Sequence, residues 1–143
     1  MNPDETKATT PSALANDQKS TGGFGRITKA FGYSMQGLSH AVRYEAAFRQ
    51  ELIIALPASL ILWFLPVSNV EKLLLFGSVL LVLIVELLNS AVEATVDRVS
   101  TERHPLSGRA KDLGSAAVFL AILLMAVSWA LIVGPLLLTP LPK

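Results

Sequence analysis

The chain has no cysteine, which excludes a disulfide framework, a thiolate metal centre and a thiol nucleophile. Any metal ion must therefore be held by oxygen ligands or histidine. Charge is scarce too: 16% of the 143 residues are charged and the formal net charge is +1. With no basic stripe interleaved with aromatics, nothing in the sequence draws nucleic acid, which is not expected as a partner. The phosphate-binding loops are also missing. There is no GxxxxGK[ST], no GxGxxG after a strand and no soluble-kinase signature, and Gly22, Gly23 and Gly25 form too short a run to count. A nucleotide, if one binds, has to be held by side chains at a membrane surface.

What is present is hydrophobicity in blocks. Apolar residues make up 52% of the chain and are grouped into runs, which is the pattern of a membrane protein. Residues 1–22 are polar, rich in Ser, Thr, Asn, Asp and Pro, and lack the apolar core of a signal peptide. They read as a disordered, retained tail. A first span is expected from about Leu52 to Leu65, continuing helically from the Glu45–Glu51 stretch. It is short against the roughly 20 apolar residues a bilayer requires, and Pro57 is expected to kink it. A second run, about Leu73 to Val92, is interrupted by Glu86, Asn89 and Ser90, and a third extends from about Leu113 to Leu138.

Basic residues set an orientation. Lys7, Lys19, Arg26, Lys29, Arg43 and Arg49 precede the first span, and Arg98, Arg103, Arg109 and Lys111 lie between the second and third. Only Lys72 and Lys143 fall on the other side. The positive-inside bias then places the N-terminus and the second loop in the cytoplasm and the C-terminus outside, with Trp63 and Trp129 near the outer ends of their helices. Before the first span, Phe24, Ile27, Phe31, Met35 and Leu38 share about 80° of a helical wheel, with Arg26, Lys29, Tyr33 and Gln36 opposite. This is an interfacial helix, which an ordinary membrane anchor would also explain.

Glu86, Asn89, Glu93 and Asp97 stand at offsets of 0, 3, 7 and 11. At 100° per residue they fall within about 80° of a wheel and extend over roughly 16 Å. A carboxylate near the end of an apolar span is costly unless it is paired, hydrated or protonated, so an intramembrane acid points to function. A structural polar contact between helices is the alternative. Glu45 and Glu51 lie at the mouth of the first span, and Lys111 and Asp112 at the entry of the third. Carboxylates clustered with Lys and Arg suit a Mg²⁺ nucleotide; they suit a cation pathway equally, and the residue pattern alone leaves both open.

The stretch ELLNSAVEATVDR (Glu86–Arg98), the stretch LSGRAKDLGSAAV (Leu106–Val118) and EAAFRQE (Glu45–Glu51) together closely resemble the prokaryotic diacylglycerol kinase family. The resemblance covers about residues 22–135 without gaps between motifs. It implies an all-α integral membrane protein: a homotrimeric helical bundle with an N-terminal amphipathic surface helix and three transmembrane helices per subunit. The implied organisation is a tail over 1–22, a membrane kinase domain over 23–138 with a surface helix at about 24–40 and spans at about 45–65, 72–97 and 110–138, and a short tail over 139–143. The implied activity is transfer of the ATP γ-phosphate to diacylglycerol at the cytoplasmic face of a bacterial inner membrane, returning that lipid as phosphatidic acid to phospholipid synthesis.

Carried over by position, Glu86 matches the general base, Glu45 and Glu93 the pair that binds Mg²⁺, and Asn89 a group orienting one of the acids. Lys111 and Asp112 match the nucleotide-contacting pair. Arg26 and Tyr33 match positions near ATP and the lipid head. Glu102, Arg103 and His104 resemble the segment over base and ribose, although His104 alone would read as a solvated loop residue. Ala47, Phe48, Arg49, Gln50 and Glu51, with Ser115, would flank the lipid. Ala110, Gly114, Ala117 and Ala121 recur at three- and four-residue steps and read as packing. Phe31, Met35 and Pro57 depart from the family pattern on the lipid side. The sister activity, an undecaprenol kinase, is the nearest alternative; a small oligomeric cation or proton carrier and a purely structural membrane subunit are alternatives of other classes.

Overall fold

The computed structural model describes residues 23–99, 102 and 104–138. Arg103 and the tails 1–22 and 139–143 lie outside the described residues. Regular structure among the described residues is entirely helical: α1 (Gly23–Tyr44), α2 (Ala46–Ile61), α3 (Asn69–Val99) and α4 (Pro105–Leu138). The described residues divide into two units, those up to Ser39 and those from His40 on. In the first, Ile27, Phe31, Met35 and Leu38 are all exposed along α1, the face that the sequence pattern assigns to a membrane surface.

The second unit begins in the last turn of α1, where the rings of His40 and Tyr44 stack at 4.7 Å. Glu45 then leaves the helix with φ −91° and ψ 112°. Backbone hydrogen bonds nevertheless run almost unbroken across this corner, from Glu45 N to Ala41 O (3.0 Å) and from Arg49 N to Glu45 O (3.2 Å). Arg49 Nη1 donates to the Arg43 carbonyl at 3.1 Å, satisfying one of the carbonyls that a helix end leaves open. Glu45 occupies the N-cap of α2 without using its side chain as a cap. Its carboxylate therefore stays available beside the positive end of that helix.

α2 is continuous through Pro57 and ends at Ile61. Three further bonds of the tighter i→i+3 kind, ending with Leu65 N to Leu62 O at 3.4 Å, wind the chain on from there. The start of α3 is a reciprocal cap: Glu71 N donates to Ser68 Oγ at 3.3 Å, and Ser68 N and Oγ donate to Glu71 Oε2 at 2.8 and 2.7 Å. This capping box sets where the long apolar run begins. At the start of α4, Pro105 takes the first helical position, where its missing N–H costs nothing. Leu106 N donates to His104 Nδ1 at 3.2 Å, so the imidazole works as the cap. α4 thus begins well before its apolar run, and the charged Ser107–Asp112 stretch is helical.

α3 lies between its neighbours, packing on α2 and on α4. Phe48 and Ala55 of α2 and Leu62 just past its end are buried, as are Leu75, Ser78, Val79, Val82 and Glu86 of α3 and Ala121 of α4. On α3 their three- and four-residue spacing marks one contact face. Ser78 Oγ satisfies its burial by donating to Leu75 O at 2.8 Å. The row of α4 that meets α3 includes Gly114, Val118 and Ala121, whereas Ala117 is exposed, so only part of the small-residue stripe packs within one chain. α3 and α4 are long and apolar enough to cross a membrane. Most of their large apolar side chains are exposed, as faces that meet lipid are; a soluble core helix would bury them.

Candidate active site

The polar stripe of α3 passes from buried to exposed along the helix. Glu86 retains 4% of its accessible surface, Asn89 and Glu93 are half-buried, and Asp97 is exposed. Helical spacing puts the four on one face; packing against α2 and α4 decides how deep each lies. Glu86 stands within electrostatic reach of Glu93 and Glu45, and Glu51 within reach of Glu86. The corner at Glu45 and the first turns of α2 therefore bring two further acids to the stripe.

Hydrogen bonds organise the exposed half. Asn89 Nδ2 donates to Glu93 Oε1 at 3.3 Å, one turn along the same face. Lys111 Nζ of α4 reaches Asp97 Oδ1 of α3 at 2.6 Å, an ion pair open to water on both sides. Such exposed pairs are weak, so a phosphate can replace Asp97 as the partner of Lys111 at little cost. Among the described residues, the buried side-chain oxygens Asn89 Oδ1 and Glu51 Oε2 have no partner. Asn89 lies directly against Gly114: a Cβ at that position would collide with Asn89 Oδ1 and come within 3.3 Å of its Cγ.

A cavity of about 80 Å³ lies beside Glu51, walled by apolar residues of all three helices including Ala55, Val82 and Met125. A larger one of about 330 Å³, lined by Leu62, Trp63, Lys72 and Phe76 among others, lies at the opposite end of the α2–α3 pair. No carboxylate lines the larger one. The candidate site is therefore the acid cluster and not the larger cavity.

Of the other residues singled out from the sequence, Asp112 and Ser115 are exposed on α4, and Ala47, Arg49 and Gln50 are exposed on α2. Phe48 is buried in the core of this chain. Arg26 and Tyr33 are exposed on α1, Glu102 is exposed between α3 and α4, and His104 caps α4. Arg103 lies outside the described residues. Two features were not foreseen, the Asp97–Lys111 bridge and the seat of Asn89 on Gly114. The first had a signal in the sequence, since Asp97 closes the acid stripe just before the loop that leads to Lys111.

Among the described residues, no three His, Asp or Glu side chains converge closely enough to hold a metal ion by themselves. The oxygen donors nearest Glu86 are instead two carboxylates, Glu45 and Glu93. That set fits Mg²⁺, which takes one or two carboxylates from the protein and completes its shell with phosphate and water.

Fold and site together define a helical membrane protein with carboxylates and a lysine gathered where a long apolar helix becomes polar. The chain belongs to the prokaryotic diacylglycerol kinase family, whose sequence profile matches residues 32–133. It is similar to the diacylglycerol kinase of Escherichia coli K12, with 54% identity over 112 residues, 78% of this chain and 92% of that protein. The diacylglycerol kinase of Pseudomonas aeruginosa is 54% identical over 110 residues, 77% of this chain and 89% of that protein. That of Helicobacter pylori J99 is 40% identical over 117 residues, covering 82% and 88%.

Proposed function

We infer that this chain is a diacylglycerol kinase, transferring the γ-phosphate of ATP to the primary hydroxyl of diacylglycerol to give phosphatidic acid. Family membership supports the reaction class. The observation that carries the assignment of roles is the graded stripe on α3: a buried Glu86, a half-buried Asn89 and Glu93, and an exposed Asp97. A lipid hydroxyl approaches from the apolar end and a nucleotide from the aqueous end, and both meet one helix face.

Glu86 accepts the proton as the hydroxyl oxygen bonds to the γ-phosphorus and the bond to the ADP oxygen breaks. Such general-base help contributes about 10²–10⁴-fold. Asn89 holds Glu93 through its amide and so fixes where that carboxylate stands. Glu45 and Glu93 are the residues that would hold Mg²⁺, which when bound with ATP offsets the charge developing on the transferred phosphoryl group. Lys111 leaves Asp97 for a phosphate oxygen, and Asp112 orders the adjacent turn. Arg26, Tyr33, Glu102, Arg103 and His104 contact the nucleotide, while Ala47, Arg49, Gln50, Glu51 and Ser115 border the lipid. No covalent intermediate is needed; positioning and charge stabilisation suffice.

The finer architecture belongs to the same proposal. α2, about 24 Å long from its 16 residues, is extended by the tight turn through Leu65 and forms a third span. Three helices leave the stripe open along one side, which supports a homotrimer with shared sites. The excess of Lys and Arg in the N-terminal segment and the α3–α4 loop supports a cytoplasmic site in a bacterial inner membrane, where the product returns to phospholipid synthesis.

The test is transfer of labelled γ-phosphate from Mg-ATP by purified protein in mixed micelles, with dioleoylglycerol and undecaprenol as competing acceptors. Labelled phosphatidic acid as the main product supports the assignment. Preference for undecaprenol moves the chain to the sister activity, and labelling of neither overturns the kinase reading.

A further inference from the structure

We propose that Gly114 is a positioning residue for catalysis, the notch on α4 that holds the Asn89 amide against Glu93. The proposal rests on the kinase reading above, in which Asn89 and Glu93 serve phosphoryl transfer.

Among the glycines whose surroundings are defined, Gly32, Gly37, Gly77, Gly108 and Gly134 have nothing within 4 Å of where a Cβ would stand, while Gly114 faces Asn89. Backbone strain does not explain the residue, since no glycine among the described residues has a positive φ. Side-chain volume does: the helix surface at position 114 must be bare for Asn89 to lie where it does. The amide orientation follows from donor chemistry. Nδ2 is the donor and points to the Glu93 carboxylate; the flipped amide would set oxygen against oxygen. Oδ1 is thereby turned onto Gly114 and left without a partner. A buried unpaired carbonyl costs free energy, so this pose persists only because the surrounding packing holds it.

The colliding atom is the far end of a side chain, not backbone. A methyl group at position 114 can therefore be accommodated without separating α3 from α4: Asn89 rotates away. The fold survives, but the Nδ2–Glu93 bond breaks and Glu93 loses its orientation. A residue that served packing alone would show the reverse, lost stability with the chemistry intact.

The experiment compares Gly114→Ala with Gly134→Ala, a control on the same helix with open space at Cβ. Gly114→Ala is expected to keep its helix content and thermal midpoint in detergent, to lower kcat about 10- to 100-fold, as loss of a hydrogen bond to a charged group does, and to leave KM for diacylglycerol unchanged. Added to Asn89→Ala, it should lower kcat no further, because the group through which it acts is already gone. Independently of turnover, the Asn89 side-chain amide resonances in a ¹⁵N-labelled sample should shift in Gly114→Ala and stay in place in Gly134→Ala. Full activity in Gly114→Ala, a loss that tracks unfolding, multiplicative losses in the double variant, or an unmoved Asn89 amide signal would each overturn the proposal. A wild type inactive on both lipid alcohols would instead remove the kinase reading, while an amide shift would still record the contact.

Discussion

Replacing Glu86 by glutamine should separate activity from stability in opposite directions. Glu86 is 4% exposed and lies within electrostatic reach of Glu93, Glu45 and Glu51. At an effective dielectric constant of ~20 a like-charge neighbour costs about 4 kcal/mol at ~4 Å and about 2 kcal/mol at ~8 Å, so a neutral isostere relieves repulsion and leaves the folded state at least as stable as wild type. The same change removes the proton acceptor. General-base catalysis contributes about 10²–10⁴-fold, which corresponds to about 2.7–5.4 kcal/mol of barrier. Turnover should fall by that factor, while ATP still binds, because the groups assigned to it are other side chains, among them Glu93 farther along the helix, Glu45 at the start of α2 and Lys111 on α4. The assay pairs initial rates of labelled phosphatidic acid formation with thermal unfolding of the same samples followed by circular dichroism. A variant that keeps more than about one-tenth of the wild-type kcat, short of the ~10²-fold loss a missing base should bring, would refute the assignment of Glu86 as base. A variant whose rate loss is matched by lost thermal stability would refute the claim that the acid serves chemistry at the expense of packing.

Glu45→Gln and Glu93→Gln should each raise the Mg²⁺ concentration for half-maximal rate by about tenfold or more, with KM for diacylglycerol unchanged; a Mg²⁺ titration that does not move would remove the carboxylate in question from the metal site. Lys111→Met should raise KM for ATP and lower kcat, whereas Asp97→Asn should leave stability essentially unchanged, since the Lys111–Asp97 pair is exposed, and should retain activity. Equal losses in the two variants would mean that the bridge itself is the functional element. Ser68→Ala should cost about 1 kcal/mol through loss of the α3 cap and leave kcat per folded molecule unaltered, because the capping box lies at the opposite end of α3 from Glu93. A kcat defect in that variant would show that the two ends of α3 are coupled.

The parts of this molecule that were legible in the sequence are those set by local periodicity. The offsets of Glu86, Asn89, Glu93 and Asp97 fix a shared helix face whatever surrounds it, and the long apolar runs fix α3 and α4. Helix ends were less legible. α1 continues to Tyr44 and stops at Glu45 without Gly or Pro, because the Arg49–Arg43 contact that closes it joins residues from both sides of the break. α4 starts at Pro105 because an imidazole serves as its cap, an uncommon choice that composition does not announce. Pro57 interrupts the pattern but not the helix. The pairing of Lys111 with Asp97 and the seat of Asn89 on Gly114 depend on the register between α3 and α4, and that is set by packing of faces distant in sequence. The roles assigned to the acids came from resemblance to a family; the helical wheel gave their adjacency alone.

The 31 residues of α3 form one unbroken helix about 46 Å long, against a hydrocarbon layer of roughly 30 Å. A rod longer than the layer it crosses works as a depth gauge. Glu86 and Asp97 are separated along it by a fixed rise, so with the roles proposed above the vertical gap between lipid hydroxyl and nucleotide is written into a single covalent element, not left to loops. What a membrane can alter is the tilt of that rod. Thicker or thinner bilayers would then raise or lower the base relative to the hydroxyl it serves, and the rate would carry a record of the membrane's own dimensions.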